Sequence, residues 1–364
     1  MRDLRLDFFR GLAIYMIFVD HIIGDPLSKF TYRSLGFSDA AEIFVFISGV
    51  ACGIVYSRTF VRRGFAAVMQ ATIKRAGRIY VFYVLSSVAV IALVCHDPRF
   101  MQAQALLGVS AHEPVADALW ALLFVTPPRL SGLLVLYIVL TLLIVPPLFL
   151  ARGRYRSLIL AISALAWLAT QVLYSTLLPI THYVYPNPIA WQFLFVIGAL
   201  IGIKREKGVP LFKSPVHLRW AIAAAWIFVI GSLVYRVISA RTGFNVETIR
   251  LDPGTWASMK DHLSPLRLVH ILSVALLVSV YVRQDSPWLK WTAAAPIIMT
   301  GARSLEMFSL SIVLTTLANI VVLVEDPSTA YRLVMDGIAF AVLALTATLL
   351  AHHRHAMLRQ RVRA

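Results

Sequence analysis

Ten long apolar runs divide the sequence, and each approaches the roughly 20 residues that a helix needs to cross the hydrocarbon core of a membrane. Hydrophobic residues make up 59% of the chain and charged residues only 14%, which is too little charge for a soluble protein of this length. The pattern predicts an all-α integral membrane protein with about ten transmembrane helices, forming a single domain over residues 1–364. The predicted spans are 6–23, 41–57, 79–95, 131–150, 157–177, 189–203, 219–237, 266–282, 305–324 and 331–351.

The positions of the basic residues predict an orientation. A net charge of +16 would suit a nucleic-acid-binding protein, but here Lys and Arg occur in short clusters between the apolar runs. With both termini in the cytoplasm, most of the 34 Lys and Arg residues fall on the cytoplasmic side, as the positive-inside rule requires. We therefore expect a multi-pass protein that contacts the lipid bilayer and no nucleic acid. No small-residue cleavage site follows the first run, so we expect it to be retained as a helix.

The two cysteines and the long outer loops give weaker signals. Cys52 is predicted in the inner half of the second span and Cys95 at the outer end of the third, so a disulfide between them is not expected. Neither cysteine has the spacing of a metal site, and we expect no metal. The predicted outer loops 96–130 and 238–265 exceed the usual loop length, which favours a lid or a binding role.

The first apolar run carries an arginine and a histidine eleven residues apart, Arg10 and His21. Such side chains are costly within a membrane and usually mark function. In a helix, eleven residues make about three turns plus 20°, so the two side chains share one face about 16.5 Å apart along the axis. That layout suits the handling of one molecule from both sides of a bilayer. Taken singly, Arg10 could simply pair with Asp7 at the helix end, and His21 could be a packing residue.

Two further carboxylates lie near His21 in the predicted topology. Asp20 points about 100° away from His21 on a continuing helix, so it either orients the imidazole at a helix end or is a boundary carboxylate. Asp39 and Glu42 precede the second run with the spacing of an N-terminal cap and its reciprocal glutamate. Alternatively, Glu42 enters the membrane at the depth of His21 and hydrogen-bonds to it, which would strengthen the histidine as a base.

A basic cluster precedes the third run. Arg75 and Arg78 lie at positions i and i+3, with two residues between them, and Lys74 is beside Arg75. At the cytoplasmic mouth of a helix they could bind phosphates bidentately. Positive-inside anchoring is the structural alternative.

Together these residues resemble the membrane acyltransferases of the acyltransferase-3 superfamily, in which an arginine and a histidine are separated by ten residues. The matching motifs are Asp7-x-x-Arg10-Gly11 followed by His21, Glu42-x-Phe44-x-x-x-Ser48-Gly49, and Arg75-x-x-Arg78. The sequence more closely resembles the OpgC family. That resemblance runs from residue 2 to about 350 and includes Asp20-His21, Ser38-Asp39-Ala40-Ala41-Glu42, Ala190-Trp191-Gln192-Phe193-Leu194-Phe195 and Ser304-Leu305-Glu306-Met307-Phe308.

The resemblance implies an O-acyltransferase of the bacterial inner membrane. It would move an acyl group, a succinyl group in OpgC proteins, from cytoplasmic acyl-CoA (succinyl-CoA or acetyl-CoA) to hydroxyls of osmoregulated periplasmic glucans. Carried over by position, Arg10 and His21 are the essential pair, and Arg75 and Arg78 serve coenzyme A. Glu42 stands where relatives often have Asp. The glucan acceptor is the expected partner, and assembly into a homo-oligomer is left open.

Ester formation assigns roles to these residues. Neutral His21 either takes a proton from the glucan hydroxyl or carries the acyl group transiently, and the sequence leaves both routes open. Arg10, Glu42 and Asp20 complete the expected catalytic set. Lys74 joins Arg75 and Arg78 as a candidate for binding the phosphates of coenzyme A. Candidate donors to the oxyanion, expected at the substrate site, are backbone N–H groups and Ser48, Trp191 and Gln192.

A different class of function is a secondary transporter or exporter of glucan or of a small anionic solute. Ten helices with buried charges would suit either class. A transporter usually shows inverted repeats and paired broken helices, and the sequence has no internal similarity of that kind. Aromatic residues at the predicted outer mouth could stack on sugar rings or form an interfacial belt: Tyr183, Tyr185, Phe244 and Trp256. His270 and Asp336 are expected to be satisfied interior residues.

Overall fold

The computed structural model describes residues 3–109, 113–150, 155–173, 186–212, 214–242 and 260–363. Within these ranges every regular element is a helix, which confirms the all-α prediction. The α-helices are α1 (Leu4–Asp20), α2 (Ala40–Cys95), α3 (Met101–Leu107), α4 (Pro114–Leu122), α5 (Gly132–Leu150), α6 (Tyr155–Val172), α7 (Pro188–Glu206), α8 (Pro215–Thr242), α9 (Pro265–Tyr281), α10 (Ala295–Ala302), α11 (Ser304–Glu325) and α12 (Thr329–Arg363).

Seven helices in the described ranges are long and apolar enough to cross a membrane, namely α2, α5, α6, α7, α8, α11 and α12. Helices α1 and α9 have 17 residues each and coincide with two further predicted spans. Within the described residues, each of the ten predicted runs therefore overlaps a helix. The total of ten crossings and the cytoplasmic position of both termini remain predictions.

Helix α2 contains two of the predicted spans, and the segment expected to be an inner loop between them is itself helical. Its 56 residues would measure about 84 Å if straight, far more than a bilayer requires. Gly64 interrupts the helix with a φ of 74°, a conformation that favours glycine. Tyr56 lies beside Thr72, and Cys52 beside Arg75. Because these pairs are nearly symmetric about Gly64, residues 40–63 and 65–95 run antiparallel as a helical hairpin.

Glycines allow α2 and α7 to pack at very short range. Gly49 and Gly53 on α2 face Gly198 and Gly202 on α7, and each pair has the four-residue spacing that places both glycines on one helix face. A Cβ at any of the four positions would overlap a backbone carbonyl oxygen of the other helix. This contact makes α7 the main partner of α2 and fixes the centre of the bundle.

Helix α1 is held between α2, α10 and α11. Gly11 on α1 and Gly301 on α10 lie against each other's backbone, so neither position has room for a side chain. The packing fixes the height of α1 in the bundle. It thereby fixes the levels of Arg10, inside the helix, and His21, at its end.

Candidate active site

His21 is the residue directly after α1. It takes the C-cap position, and its backbone carbonyl accepts a hydrogen bond from Asn319 of α11 at 2.9 Å. The side-chain oxygen of Asn319 accepts from the backbone N–H of Ile23 at 3.0 Å, so one asparagine holds the whole turn. The imidazole Nδ1 lies 2.7 Å from the carbonyl oxygen of Ile17. Since a carbonyl can only accept, Nδ1 carries the proton, and Nε2 is the basic nitrogen of the neutral ring.

A small cavity of about 50 Å³ lies beside His21, and we call it the outer pocket. Two cations, Lys260 and Arg129, line it together with the histidine. Hydroxyl groups come from Ser311 and Thr315 of α11. The remaining walls are mainly apolar: Ile17, Ala41, Leu130, Leu133, Pro186, Phe308 and Ile312. His21 itself is exposed, so the outer pocket can be reached from the surface.

Glu42 forms no hydrogen bond with His21 in the described structure. The interpretation in which these two side chains hydrogen-bond to each other is therefore wrong. Its Oε1 accepts from Nε of Arg267 at 2.6 Å, and its Oε2 accepts from the backbone N–H of Asp39 at 2.9 Å. Asp39 in turn accepts from the N–H of Ala41, which completes a capping box. The structural alternative, an N-terminal cap with a reciprocal glutamate, is therefore confirmed.

The same carboxylates form a buried ion cluster that reaches the outer pocket. Oδ2 of Asp39 lies 2.9 Å from both Arg267 and Lys260. Burial alone would favour the protonated acid, but the charges of Lys260 and Arg267 hold the pKa of Asp39 well below its usual range. The negative charges of Asp39 and Glu42 balance the positive charges of Arg267 and Lys260. The cluster thus fixes Lys260 in place beside His21.

Asp20 lies at a helix boundary and does not orient His21. Its carboxylate accepts a hydrogen bond from the Thr31 hydroxyl at 2.6 Å. Although α1 ends at Asp20, the imidazole of His21 is oriented by the Ile17 carbonyl instead. The boundary-carboxylate interpretation fits these contacts.

Trp191 and Gln192 are structural in this conformation. The only N–H of the Trp191 side chain donates to the carbonyl oxygens of Lys260 and Asp261, at 2.9 and 3.0 Å. The Gln192 amide donates to the Ser163 carbonyl at 2.9 Å and accepts from the Ser163 hydroxyl at 2.5 Å. Neither has a free donor for an oxyanion. Trp191 instead anchors the segment that carries Lys260.

Arg10 of α1 and Arg75 of α2 lie close to each other, and neither lines the outer pocket. Although they lie on different helices, their charges are close enough to repel each other, and both are near Cys52 and Tyr137. One Arg10 nitrogen donates to the Ile47 carbonyl at 3.3 Å, while the buried Nε has no partner in the described structure. Ser48, expected at the substrate site, lies beside Tyr137. We call this group the inner cluster: Arg10, Ser48, Cys52, Arg75 and Tyr137.

The other basic candidates diverge from Arg75. Arg78 forms an ion pair with Glu306 of α11, and Glu306 also lies 3.6 Å from Arg303. Lys74 is exposed, whereas Arg75, although part of it is also exposed, reaches the inner cluster beside Arg10 and Cys52. The cluster predicted from sequence is thus divided between the interior, the surface and a salt bridge between helices.

Aromatic rings separate the inner cluster from the outer pocket. Tyr137 of the inner cluster meets Phe44 edge to face, with ring centroids 5.4 Å apart. Phe44 stacks on Phe308 at 5.4 Å, and Phe308 lines the outer pocket. In this conformation three aromatic rings therefore lie between Arg10 and His21, the two residues expected to handle one molecule from both sides of the bilayer.

Several residues of this site were missed in the sequence. Arg267 lies within a predicted span, and the rule that marked Arg10 also applies to it. Arg129, Lys260 and Asn319 carry no local signal, because only the fold brings them to His21. Tyr183, Tyr185, Phe244 and Trp256 lie outside the described residues.

The expectation that His270 is an interior residue with its hydrogen bonds satisfied holds for only one of its two ring nitrogens. Its Nδ1 is 2.7 Å from the Ser38 hydroxyl and 3.2 Å from the Tyr32 hydroxyl. Its buried Nε2 has no partner in the described structure. These contacts tie α9 to the segment before α2, away from His21.

Comparisons with known proteins give one match. Neither the curated proteins nor the solved structures include a match to this chain. A protein-family model described as OpgC protein matches residues 2–355, nearly the whole chain. Because the match covers nearly the whole sequence, this chain belongs to the OpgC protein family.

Proposed function

We propose that this protein is an O-succinyltransferase that moves a succinyl group from cytoplasmic succinyl-CoA to hydroxyls of osmoregulated periplasmic glucans. Membership of the OpgC family indicates a role in modifying these glucans. The observation that carries the proposal is His21, exposed beside a pocket that two cations line, with its proton held on Nδ1 by a backbone carbonyl. The resemblance to acyltransferase-3 enzymes supports the same reaction.

In the proposed reaction, Nε2 of His21 takes the proton from a glucan hydroxyl as the oxygen attacks the thioester carbonyl carbon. The oxygen–carbon bond forms, and a tetrahedral oxyanion develops. The carbon–sulfur bond then breaks, and the imidazolium returns the proton to the departing thiolate. The products are a glucan succinate ester and free coenzyme A. In this proposal Thr315 and the nearby cations, which line the outer pocket with His21, stabilise the oxyanion.

The two cations of the outer pocket support a succinyl donor over an acetyl donor. Lys260 is already paired with Asp39, within a cluster whose charges balance. Arg129 is exposed, and among the described residues it has no carboxylate partner; one nitrogen donates to the Leu106 carbonyl at 3.3 Å. A free carboxylate on the acyl group would supply the missing anion.

The inner cluster supports entry of the donor from the opposite side. Coenzyme A is anionic and needs cations at the membrane surface. Exposed Lys74 and Arg75 offer them, and Arg75 lies close to half-buried Arg10. Arg78 is 58% exposed and retains free donors beside its pair with Glu306. In this proposal the pantetheine arm passes the aromatic rings to reach His21.

The test is transfer by the purified full-length protein from succinyl-CoA to an isolated periplasmic glucan, followed by mass spectrometry of the glucan. We expect His21→Ala to reduce the rate by at least about a hundredfold, the usual contribution of a positioned base. His217→Ala is the matched control, because His217 is exposed on α8 and does not line the outer pocket. Normal transfer by a folded His21→Ala protein would refute the assignment.

A covalent route uses the same nitrogen. Nε2 would attack the thioester carbonyl carbon, expel the thiolate and form an acyl-imidazole. The glucan hydroxyl then attacks the acyl carbon, the carbon–nitrogen bond breaks to restore neutral His21, and the hydroxyl proton passes to the thiolate. Rapid quenching without acceptor separates the routes, because only the covalent one yields a succinyl adduct on the peptide that contains His21.

A further inference from the structure

The geometry points to a binding site for an anionic phospholipid between the α8–α9 hairpin and the rest of the bundle. We call this space the lateral cleft. It lies between α9 on one side and α1, α2 and α7 on the other, and its volume is about 890 Å³. That volume falls within the range of ligand sites.

The α8–α9 hairpin is attached to the rest of the bundle mainly at its two ends. At one end Arg267 binds Glu42, and Arg236 donates to the carbonyl of Gly36 at 2.8 Å. At the other end Arg5 donates to the backbone carbonyl of Val282, just after α9. Among the described helices, α9 packs along α8 and has no comparable packing against α1, α2 or α7. The lateral cleft occupies the space between these attachments.

The middle of the lateral cleft is lined almost entirely by hydrocarbon. Its walls there comprise Leu12 and Met16 of α1, Ile43, Phe46 and Val50 of α2, Ile197 and Leu200 of α7, and Ile271, Leu272 and Ala275 of α9. Protein interiors are packed without voids of this size. In a bilayer, the acyl chains of the surrounding lipids can fill this space.

One end of the lateral cleft is strongly basic. Asp3 binds both Arg5 and Arg205 there, so these two arginines are partly neutralised. Arg156, Lys204 and Lys207 also line this end, and within the described residues they have no carboxylate partner. A phosphate headgroup at this end would complement the three unpaired cations. By the positive-inside rule this end faces the cytoplasmic leaflet, whose surface carries anionic lipids.

A phospholipid fits the lateral cleft better than acyl-CoA does. The pantetheine arm of coenzyme A carries amides that need polar partners, and the aliphatic walls offer almost none. Neither His21 nor Arg10 nor Arg75 lines the lateral cleft. A bound lipid would pack against the part of α9 that lines the lateral cleft. Arg267 of the same helix binds Asp39 and Glu42 in the ion cluster beside His21.

The experiment is native mass spectrometry of the delipidated, full-length protein titrated with phosphatidylglycerol or phosphatidylcholine, without donor or glucan. We expect one phosphatidylglycerol to bind more tightly than phosphatidylcholine. The double variant Lys204→Gln, Lys207→Gln should weaken phosphatidylglycerol binding by about 30-fold, since each cation near an anionic headgroup contributes roughly a factor of five. Ala275→Phe should block both lipids by filling the cleft.

Matched controls separate specific from general effects. Arg62→Gln with Arg63→Gln removes two exposed cations that do not line the cleft, and Ala224→Phe adds the same ring to an exposed site on α8. Equal binding of both lipids, or unchanged binding in Ala275→Phe, would overturn the proposal. So would displacement of the bound lipid by succinyl-CoA in equal stoichiometry, which would make the cleft a donor site. None of these outcomes depends on the transferase reaction.

Discussion

At the residue scale, Arg129 is the side chain expected to distinguish acyl donors. Arg129→Gln removes the unpaired cation of the outer pocket and keeps a similar size. Because a charge-assisted hydrogen bond contributes about 1.5–3 kcal/mol, we expect kcat/KM for succinyl-CoA to fall by about tenfold or more. The value for acetyl-CoA, which has no free carboxylate, should change little.

Steady-state kinetics with both donors makes that comparison. Arg99→Gln is the control, since Arg99 is also exposed on the segment between α2 and α5 but pairs with Asp97. An equal loss with both donors would show that Arg129 does not bind the acyl carboxylate.

Glu42 is expected to act through Arg267, not through His21. Glu42→Gln leaves a buried guanidinium without its main counter-charge, which typically costs about 3–5 kcal/mol. We expect a clear loss of thermal stability in detergent. The double variant Glu42→Gln, Arg267→Met should recover much of it, because the stranded charge is gone.

The pair of variants also tests the alternative role. If Glu42 mainly strengthened His21 as a base, the single variant would lose transfer without losing stability, and removing Arg267 would not compensate.

At the element scale, the contact between α2 and α7 depends on glycine. Gly202→Ala places a methyl group where the carbonyl of Val50 now lies, so the helices must separate. We expect a loss of about 1–3 kcal/mol, the usual cost of overpacking, measured by thermal unfolding in detergent. Gly77→Ala is the control on α2, because nothing lies within 4 Å of the added atom. It should be neutral or slightly stabilising, since alanine favours a helix. Equal stability of the two variants would contradict the close packing.

The helices were largely predictable from sequence, and their connections were not. Apolar length alone located the spans, because a membrane helix must satisfy its own backbone. The helical hairpin at Gly64 is not evident from the sequence, since the Arg residues on both sides of it and the Ala and Lys residues after it suit a helix as well as a cytoplasmic loop. The pairing of Glu42 with Arg267 spans 225 residues, and no local pattern indicates it. The four-residue glycine spacings on α2 and α7 are present in the sequence, but such a spacing does not indicate which two helices pack together.

At the scale of the whole molecule, a reaction across the membrane requires that His21 and the inner cluster face opposite sides. The sequence predicts this orientation from its basic residues alone. Lys29 follows His21 in the short segment between α1 and α2, whereas Arg62 lies at the turn of the α2 hairpin. Both are exposed, so each can report the side of the membrane on which it lies.

Single-cysteine labelling tests the orientation directly. With Cys52 and Cys95 replaced by Ser, we expect Lys29→Cys to react with a membrane-impermeant maleimide in intact spheroplasts, and Arg62→Cys to react only after permeabilisation. Lys29→Cys should be protected when an impermeant quencher is added first from outside. The reverse pattern would place the histidine on the side of the acyl donor, and transfer to a periplasmic acceptor at His21 would then be impossible.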